Sequence, residues 1–216
     1  NKKNNFYLFI ILIFVLSECL VFLSGDRTAF FYINLSAIFV ILLSKKLFKL
    51  RLFTLFSSIC IITVISFLSP TAKERVFNET LDGMNFTNNE NNEQIYIFSK
   101  AHHAMYVSAY NIFLDNKFFG IGVKNFRNEC KNPKYFVNNN SACNTHPHNT
   151  YLQILVETGV IGFLFLLFLN FYFIRSILKH AFLKLKGQNY FTDFQICILS
   201  GISIYLWPFI PTGNIF

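Results

Sequence analysis

Long apolar blocks alternate with polar stretches along this chain, and the blocks have the lengths of membrane-crossing helices. Residues 6–23, 29–44, 53–69, 152–174 and 194–210 are apolar enough to span. A span takes about 20 residues, with roughly 17–25 as the usual range. The second block is short by that standard and carries Asn34. The first has the length of a signal-peptide core, but no small-residue cleavage site follows it and further spans do, so it reads as a membrane helix. A segment of about eighty residues separates the third and fourth blocks, and connections of that length are functional or disordered. The pattern predicts an all-α fold, a polytopic transmembrane helix bundle of about five spans with a large, partly helical extracytoplasmic loop. The expected parts are three helices in 1–69, the loop carrying the candidate site in 70–151, and two helices joined by a basic connection in 152–216. Because the chain starts at Asn1 without an initiator Met and stops at Phe216 just after a span, it is expected to be an internal or C-terminal portion of a longer multi-span protein.

The long loop itself divides. Residues 78–94 are polar, rich in Asn and expected to be flexible. Sequons at Asn78, Asn85 and Asn139 are expected to be chance products of that abundance. Across 95–114, Ile95, Phe98, His102, Met105, Ala109 and Ile112 recur at helical spacing, widened by Tyr96, Tyr106, Tyr110 and Phe113. Such a helix either lies along the outer surface of the bilayer or packs on the spans as a lid. His102 and His103 read as polar residues on it. Gly120 and Gly122 then permit a tight turn and close backbone approach, but without strand–turn–helix context they do not indicate a nucleotide site.

Composition fits the class, with 53% hydrophobic and 19% aromatic residues. A net charge of +8 would suggest nucleic acid if read alone. Its distribution argues against that partner. Lys2, Lys3, Lys45, Lys46, Lys49, Arg51, Arg175, Lys179, Lys184 and Lys186 fall in short connections on one face, whereas the other face mixes cations with acids. By the positive-inside rule the first face is cytoplasmic, and 70–151 is outside.

Cys19, Cys60 and Cys197 lie in apolar blocks as small packing residues. Cys130 and Cys143 lie in the outer loop, where an oxidising compartment favours a disulfide; closing that loop would stabilise it by about 3 kcal/mol on chain-entropy grounds. A zinc site from these cysteines with His146, His148 and His102 or His103 is the alternative, at a spacing unlike the common zinc patterns. The most informative stretch follows. His146-Pro147-His148-Asn149-Thr150-Tyr151-Leu152-Gln153 runs straight into the fourth apolar block, and titratable groups at that boundary are costly unless they serve chemistry or are well paired. Asn149 suits the N-cap of the fourth span.

His148-Asn149-Thr150-Tyr151-Leu152-Gln153, followed by Glu157-Thr158-Gly159 and Gly162, resembles the signature of the O-antigen ligase and polymerase superfamily. Phe119-Gly120-Ile121-Gly122 and Phe126-Arg127 resemble the approach to that motif. Ser24-Gly25-Asp26-Arg27-Thr28-Ala29 is similar to the family's outer turn with an arginine, and Ser69-Pro70 with Arg75 to the start of its large outer loop. Trp207-Pro208 and Pro211-Thr212-Gly213-Asn214 resemble the outer end of the next span. The likeness covers nearly the whole chain and corresponds to the C-terminal half of a family member.

This resemblance implies a glycosyltransferase of the bacterial inner (plasma) membrane with its active site facing the periplasm. The implied donor is a glycan on undecaprenyl diphosphate, and the acceptor is a lipid A core glycolipid or a growing polysaccharide. Arg27, Arg75 and Arg127 would bind the substrate, since guanidinium groups grip phosphate oxygens bidentately. Asp26 and Glu74 are alternative partners for Arg27 and Arg75. His148 would be the catalytic base, or would orient the diphosphate; an imidazole titrates near neutrality. Asn149 would present the helix start to the site. His146 reads as a neighbour, Glu157 as a partner for an arginine on another helix, and Gly159 and Gly162 as packing residues. Inversion would follow from attack opposite the leaving diphosphate, with no cofactor or metal required. The rival readings are a transporter or flippase, whose charges would sit nearer the midplane, and a membrane interaction protein for which His148→Ala has no consequence.

Overall fold

The computed structural model describes residues 2–86, 95–137 and 142–216, with side chains from residue 5 onward. Residues 87–94, the second half of the Asn-rich stretch, and the Asn139 sequon lie outside the described residues. Among the described residues all regular elements are helical, and the chain is an all-α membrane helix bundle. In chain order they are α1 (Lys2–Ser24), α2 (Arg27–Leu43), α3 (Phe48–Leu68), α4 (Pro70–Lys73), a π turn (Glu74–Asn78), α5 (Glu79–Gly83), α6 (Lys100–Asp115), α7 (Phe126–Glu129), α8 (Thr150–Leu185) and α9 (Asp193–Tyr205).

Three of the expected spans are long and apolar enough to cross a membrane, at Asn5–Ser24, Phe48–Leu68 and Thr150–Leu185. The other two are shorter apolar helices of 17 residues (α2) and 13 residues (α9). At 1.5 Å per residue α9 covers about 20 Å of a hydrocarbon core about 30 Å thick. It stops at Tyr205 instead of reaching residue 210, because Pro208 bars helical backbone at the residue before it. α8 errs in the other direction. It continues to Leu185, so Arg175, Lys179 and Lys184 ride on the helix and not in a connection.

The chain packs as two compact units, Asn1–Thr80 with His180–Ile204, and Leu81–Lys179 with Tyr205–Phe216. In the first unit Phe22, Ile62, Ala72 and Val76 form a buried cluster, with Phe30 edge-on to Phe22. The polar residue in the short second block has a partner: Asn34 Nδ2 donates to buried Glu18 Oε2 (3.3 Å) and to the Phe30 carbonyl (2.9 Å). The last carbonyls of α2, unpaired within the helix, are taken up by other side chains. His180 Nδ1 accepts from the Phe191 N–H (3.0 Å), so its Nε2–H donates to the Leu43 carbonyl (3.0 Å), and Lys184 Nζ donates to the Leu42 carbonyl.

In the second unit the core is Ala109, Ile112, Phe126, Cys130, Tyr135 and Val156. Ala109 and Ile112 of α6 share that buried cluster with Val156 of α8, so the apolar stripe of α6 is covered by protein. It begins at Lys100, later than the periodicity suggested, because the Ser99 hydroxyl accepts the His102 N–H and caps it. Cys130 and Cys143 are joined by a disulfide, with Cα atoms 5.2 Å apart.

α8 is two helices across a break. Gly159 sits at φ 68°, ψ −167°, and the carbonyls freed nearby find new partners: Ile121 N–H donates to Val156 and Gly122 N–H to Glu157 (3.0 and 2.9 Å). Val160 N–H in turn donates to the Lys117 carbonyl (2.8 Å). Irregular backbone at membrane depth survives only where protein satisfies it in this way. Glycine is required at both contact points. A Cβ on Gly120 would strike the Glu157–Thr158 backbone, and one on Gly159 the Phe118–Phe119 backbone, with both residues at positive φ. Residues 160–185 remain long enough to cross about 30 Å unaided.

Candidate active site

The loop 142–149 delivers the histidine motif to the start of α8 in the second unit. Asn149 caps that helix, its Oδ1 accepting from the Tyr151 and Leu152 N–H groups (3.0 and 3.1 Å). Its Nδ2 donates to the Pro208 carbonyl (2.9 Å), and the Tyr151 hydroxyl donates to the Leu206 carbonyl (2.7 Å). The carbonyls exposed where α9 ends early are therefore used to anchor α8. The extended segment beyond α9 holds the motif again: Thr212 N–H donates to the His148 carbonyl (2.9 Å), and Thr150 Oγ1 bonds Thr212 Oγ1 (3.0 Å). Deeper, buried Gln153 donates to Asn214 Oδ1 (2.6 Å) and to Glu157 Oε2 (3.3 Å).

Glu157 meets no arginine in a salt bridge among the described residues. Its other oxygen accepts the Phe126 N–H (3.4 Å), tying the Phe126–Arg127 turn to α8. The carboxylate expected to pair with a cation is instead a brace between α8 and α7.

The two imidazoles of the motif differ. His146 is buried. Its Nε2 lies 3.4 Å from the Thr212 carbonyl, which can only accept, so Nε2 carries the proton and Nδ1 accepts from the Thr145 hydroxyl (3.0 Å). Both nitrogens are spent. His148 is half-buried and its backbone is left-handed at φ 53°, a conformation that costs a non-glycine residue of order 1–3 kcal/mol and is found where surroundings impose it. Its Nε2 faces Asn144 Nδ2 (3.1 Å); the amide donates, so Nε2 holds a lone pair. Asn144 is exposed, and a substrate hydroxyl can take its place.

Burial pushes the His148 ring below the ordinary imidazole pKa, helped by His146 and opposed by the Thr212 backbone. Burial also lowers His146, against the Thr212 carbonyl and Glu157, with the charge of exposed Arg127 lowering it further. Both rings are accordingly neutral at pH 7, the form that accepts a proton.

A third imidazole belongs to the group. His102 of α6 presents its ring edge-on to His148, centroids 5.7 Å apart, while His146 and His148 lie 4.1 Å apart. Phe98 stands perpendicular to His102 at 5.0 Å, and the Ser99 hydroxyl bonds its Nδ1 (2.7 Å). The sequence signal was present: His102 sits on the apolar stripe of α6, where a surface histidine would not. His103 goes elsewhere, against Tyr96. With Cys130 and Cys143 bonded to each other, the zinc alternative loses its thiolates.

Arg27 and Arg75 belong to the first unit, and the fold brings them to one turn. Asp26 caps α2 by accepting the Ala29 N–H (3.0 Å), and Arg27 Nη1 donates to the Glu79 carbonyl (2.9 Å). Glu74 accepts from Asn78 (2.5 Å). The aliphatic stem of exposed Arg75 lies across Gly25, so close that a Cβ there would fall 2.7 Å from Arg75 Cδ. Gly25, at φ 71°, thus makes room for one guanidinium beside the residue that starts α2 with another.

A sequence-family model described as O-Antigen ligase matches residues 11–167, a stretch containing Arg27, Arg75, Arg127, His148 and Asn149. Comparison with curated proteins and with solved structures gives no match.

Proposed function

The chain belongs to the O-antigen ligase family, whose activity class is ligase- or polymerase-type glycan transfer at a membrane, and from that premise we propose the following reaction. A glycan leaves an undecaprenyl-diphosphate carrier for a hydroxyl of a lipid A core or a growing polysaccharide, at the periplasmic face of a bacterial inner membrane. His148 Nε2 takes the proton of the acceptor hydroxyl, and the oxygen attacks the anomeric carbon opposite the diphosphate, inverting it. Arg27 and Arg75 of the first unit are the groups whose chemistry suits a diphosphate, since guanidinium charge offsets what it gains as the glycosidic bond breaks, and such a step needs no metal. Arg127 contributes charge beside the imidazoles, and Asn149 fixes the His148 backbone at the helix start.

The observation that carries this reading is the setting of His148: strained, held by backbone and ring contacts, with one lone pair facing an exposed amide. His146, with both nitrogens engaged, cannot serve in the same way. The rival transporter reading gains one observation, the discontinuous α8, because broken helices build transporter sites. The carbonyls freed at Gly159 are consumed by Ile121 and Gly122, however, which favours a structural use of the break.

Complementation tests the proposal. Strains lacking either the ligase or the polymerase are supplied with the full-length protein, and polysaccharide ladders are run on gels. Restoration in one strain is expected, with loss for His148→Ala and Arg27→Ala. Restoration by both variants would overturn the site assignment.

A further inference from the structure

The end of the first unit remote from the Gly25–Arg27 turn contains a cavity of about 480 Å³, within the roughly 300–1,000 Å³ of small-molecule sites. It lies among the N-terminal half of α1, the C-terminal half of α2 and the N-terminal half of α3. Ile10, Phe14, Ile33, Ala37 and Leu55 make its wall apolar. Two of the wall hydroxyls are engaged: Thr54 Oγ1 donates to the Leu50 carbonyl and Ser36 Oγ to Ser200 Oγ.

Arg51 is different. It lines the cavity, and its Nη1 is buried with no hydrogen-bond partner. Nη2 is 3.9 Å from Asp193 Oδ2, an ion pair but too long for a hydrogen bond. Asp193 Oδ1 is itself engaged by the Lys45 N–H (3.3 Å). Neighbouring ammonium groups are committed to carbonyls, Lys45 Nζ to Gln188 and Lys184 Nζ to Leu42. A guanidinium with a donor to spare therefore stands at an apolar slot in a membrane protein, close in sequence to Lys45, Lys46 and Lys49. Water cannot fill such a slot favourably, since it needs several polar partners.

We propose that this cavity binds one acyl chain of an anionic glycerophospholipid, whose phosphate accepts hydrogen bonds from Arg51. The chain supplies the apolar contacts, and the phosphate completes the guanidinium geometry that Asp193 leaves unfilled. Asp193 competes with the lipid for Arg51, which sets the sign of its removal. The site is independent of the glycan-transfer residues.

Native mass spectrometry of the delipidated full chain, titrated with phosphatidylglycerol or with phosphatidylcholine of the same acyl chains, tests this. Phosphatidylglycerol is expected to bind about tenfold more tightly. Arg51→Gln should erase that preference, Asp193→Asn should raise it, and Ala37→Phe, which fills the slot, should weaken both lipids. The rise for Asp193→Asn is an effect that simple destabilisation would not produce. Equal binding of the two lipids by the unaltered protein, a preference that survives Arg51→Gln, or no rise with Asp193→Asn would overturn the site.

Discussion

The imidazole site of the second unit and the arginine turn of the first are built on opposite plans. Around His148 nearly every polar group is committed: Asn149, Thr150, Tyr151 and Gln153 reach the segment after α9, and His146 has no free nitrogen. Arg27 and Arg75 sit on a turn made by a glycine, a capping aspartate and a π-helical stretch, with Arg75 exposed. A proton acceptor must be aimed to a fraction of an ångström, so its support is dense. On the proposed reaction a diphosphate is large, charged and carried on a mobile lipid, and cations meant to meet it would keep their reach.

That contrast makes graded predictions. The largest effect belongs to Gly120→Ala, whose Cβ strikes the Glu157–Thr158 backbone at a positive φ. Overpacking and a left-handed alanine together cost about 2–5 kcal/mol, which thermal unfolding of the purified protein would register as loss of the second unit. Removing the Cys130–Cys143 bond by Cys143→Ser should cost that unit about 3 kcal/mol; an unchanged melting curve would show that the loop gains nothing from it. In the first unit the effects should fall on substrate handling instead. Arg27→Ala and Arg75→Ala should each lower kcat/KM roughly 10–100-fold, the worth of a charge-assisted hydrogen bond, with unfolding temperatures changed far less than by the second-unit variants. Equal losses of stability and turnover would erase the distinction between the two plans.

pH should separate them as well. His148 accepts a proton only when neutral, and burial holds its pKa below the ordinary value near 6.5. Transfer should therefore persist as pH falls below about 6.5 and decline only through the lowered pKa. A decline centred above neutrality would point to a different base. The smallest effect is Asn149→Ala, about 1 kcal/mol for a lost N-cap, readable as faster amide exchange in the first turn of α8.

Sequence patterns revealed the elements better than their joints. Apolar block lengths found α1, α3 and α8, but the early end of α9 depends on Pro208 and on partners for the carbonyls it frees, which no window average contains. Gly159 read as a packing residue because a break in a span is invisible until residues 117–122 are seen to satisfy it. Motif spacing picked out His148 and Asn149, since they adjoin in the chain. His102 read only as a polar residue of its helix, and Thr212 and Asn214 come from the far end of the chain. The pairing of Arg75 with Gly25 depends on the π turn, for which composition holds no signal.

Turnover by His148→Ala decides between a catalytic and a structural imidazole. In proteoliposomes supplied with an undecaprenyl-diphosphate-linked glycan and acceptor, the variant should bind donor normally and lose about 10²–10⁴ in single-turnover rate, while His146→Ala loses far less. A His148→Ala rate close to that of the unaltered protein would contradict the account.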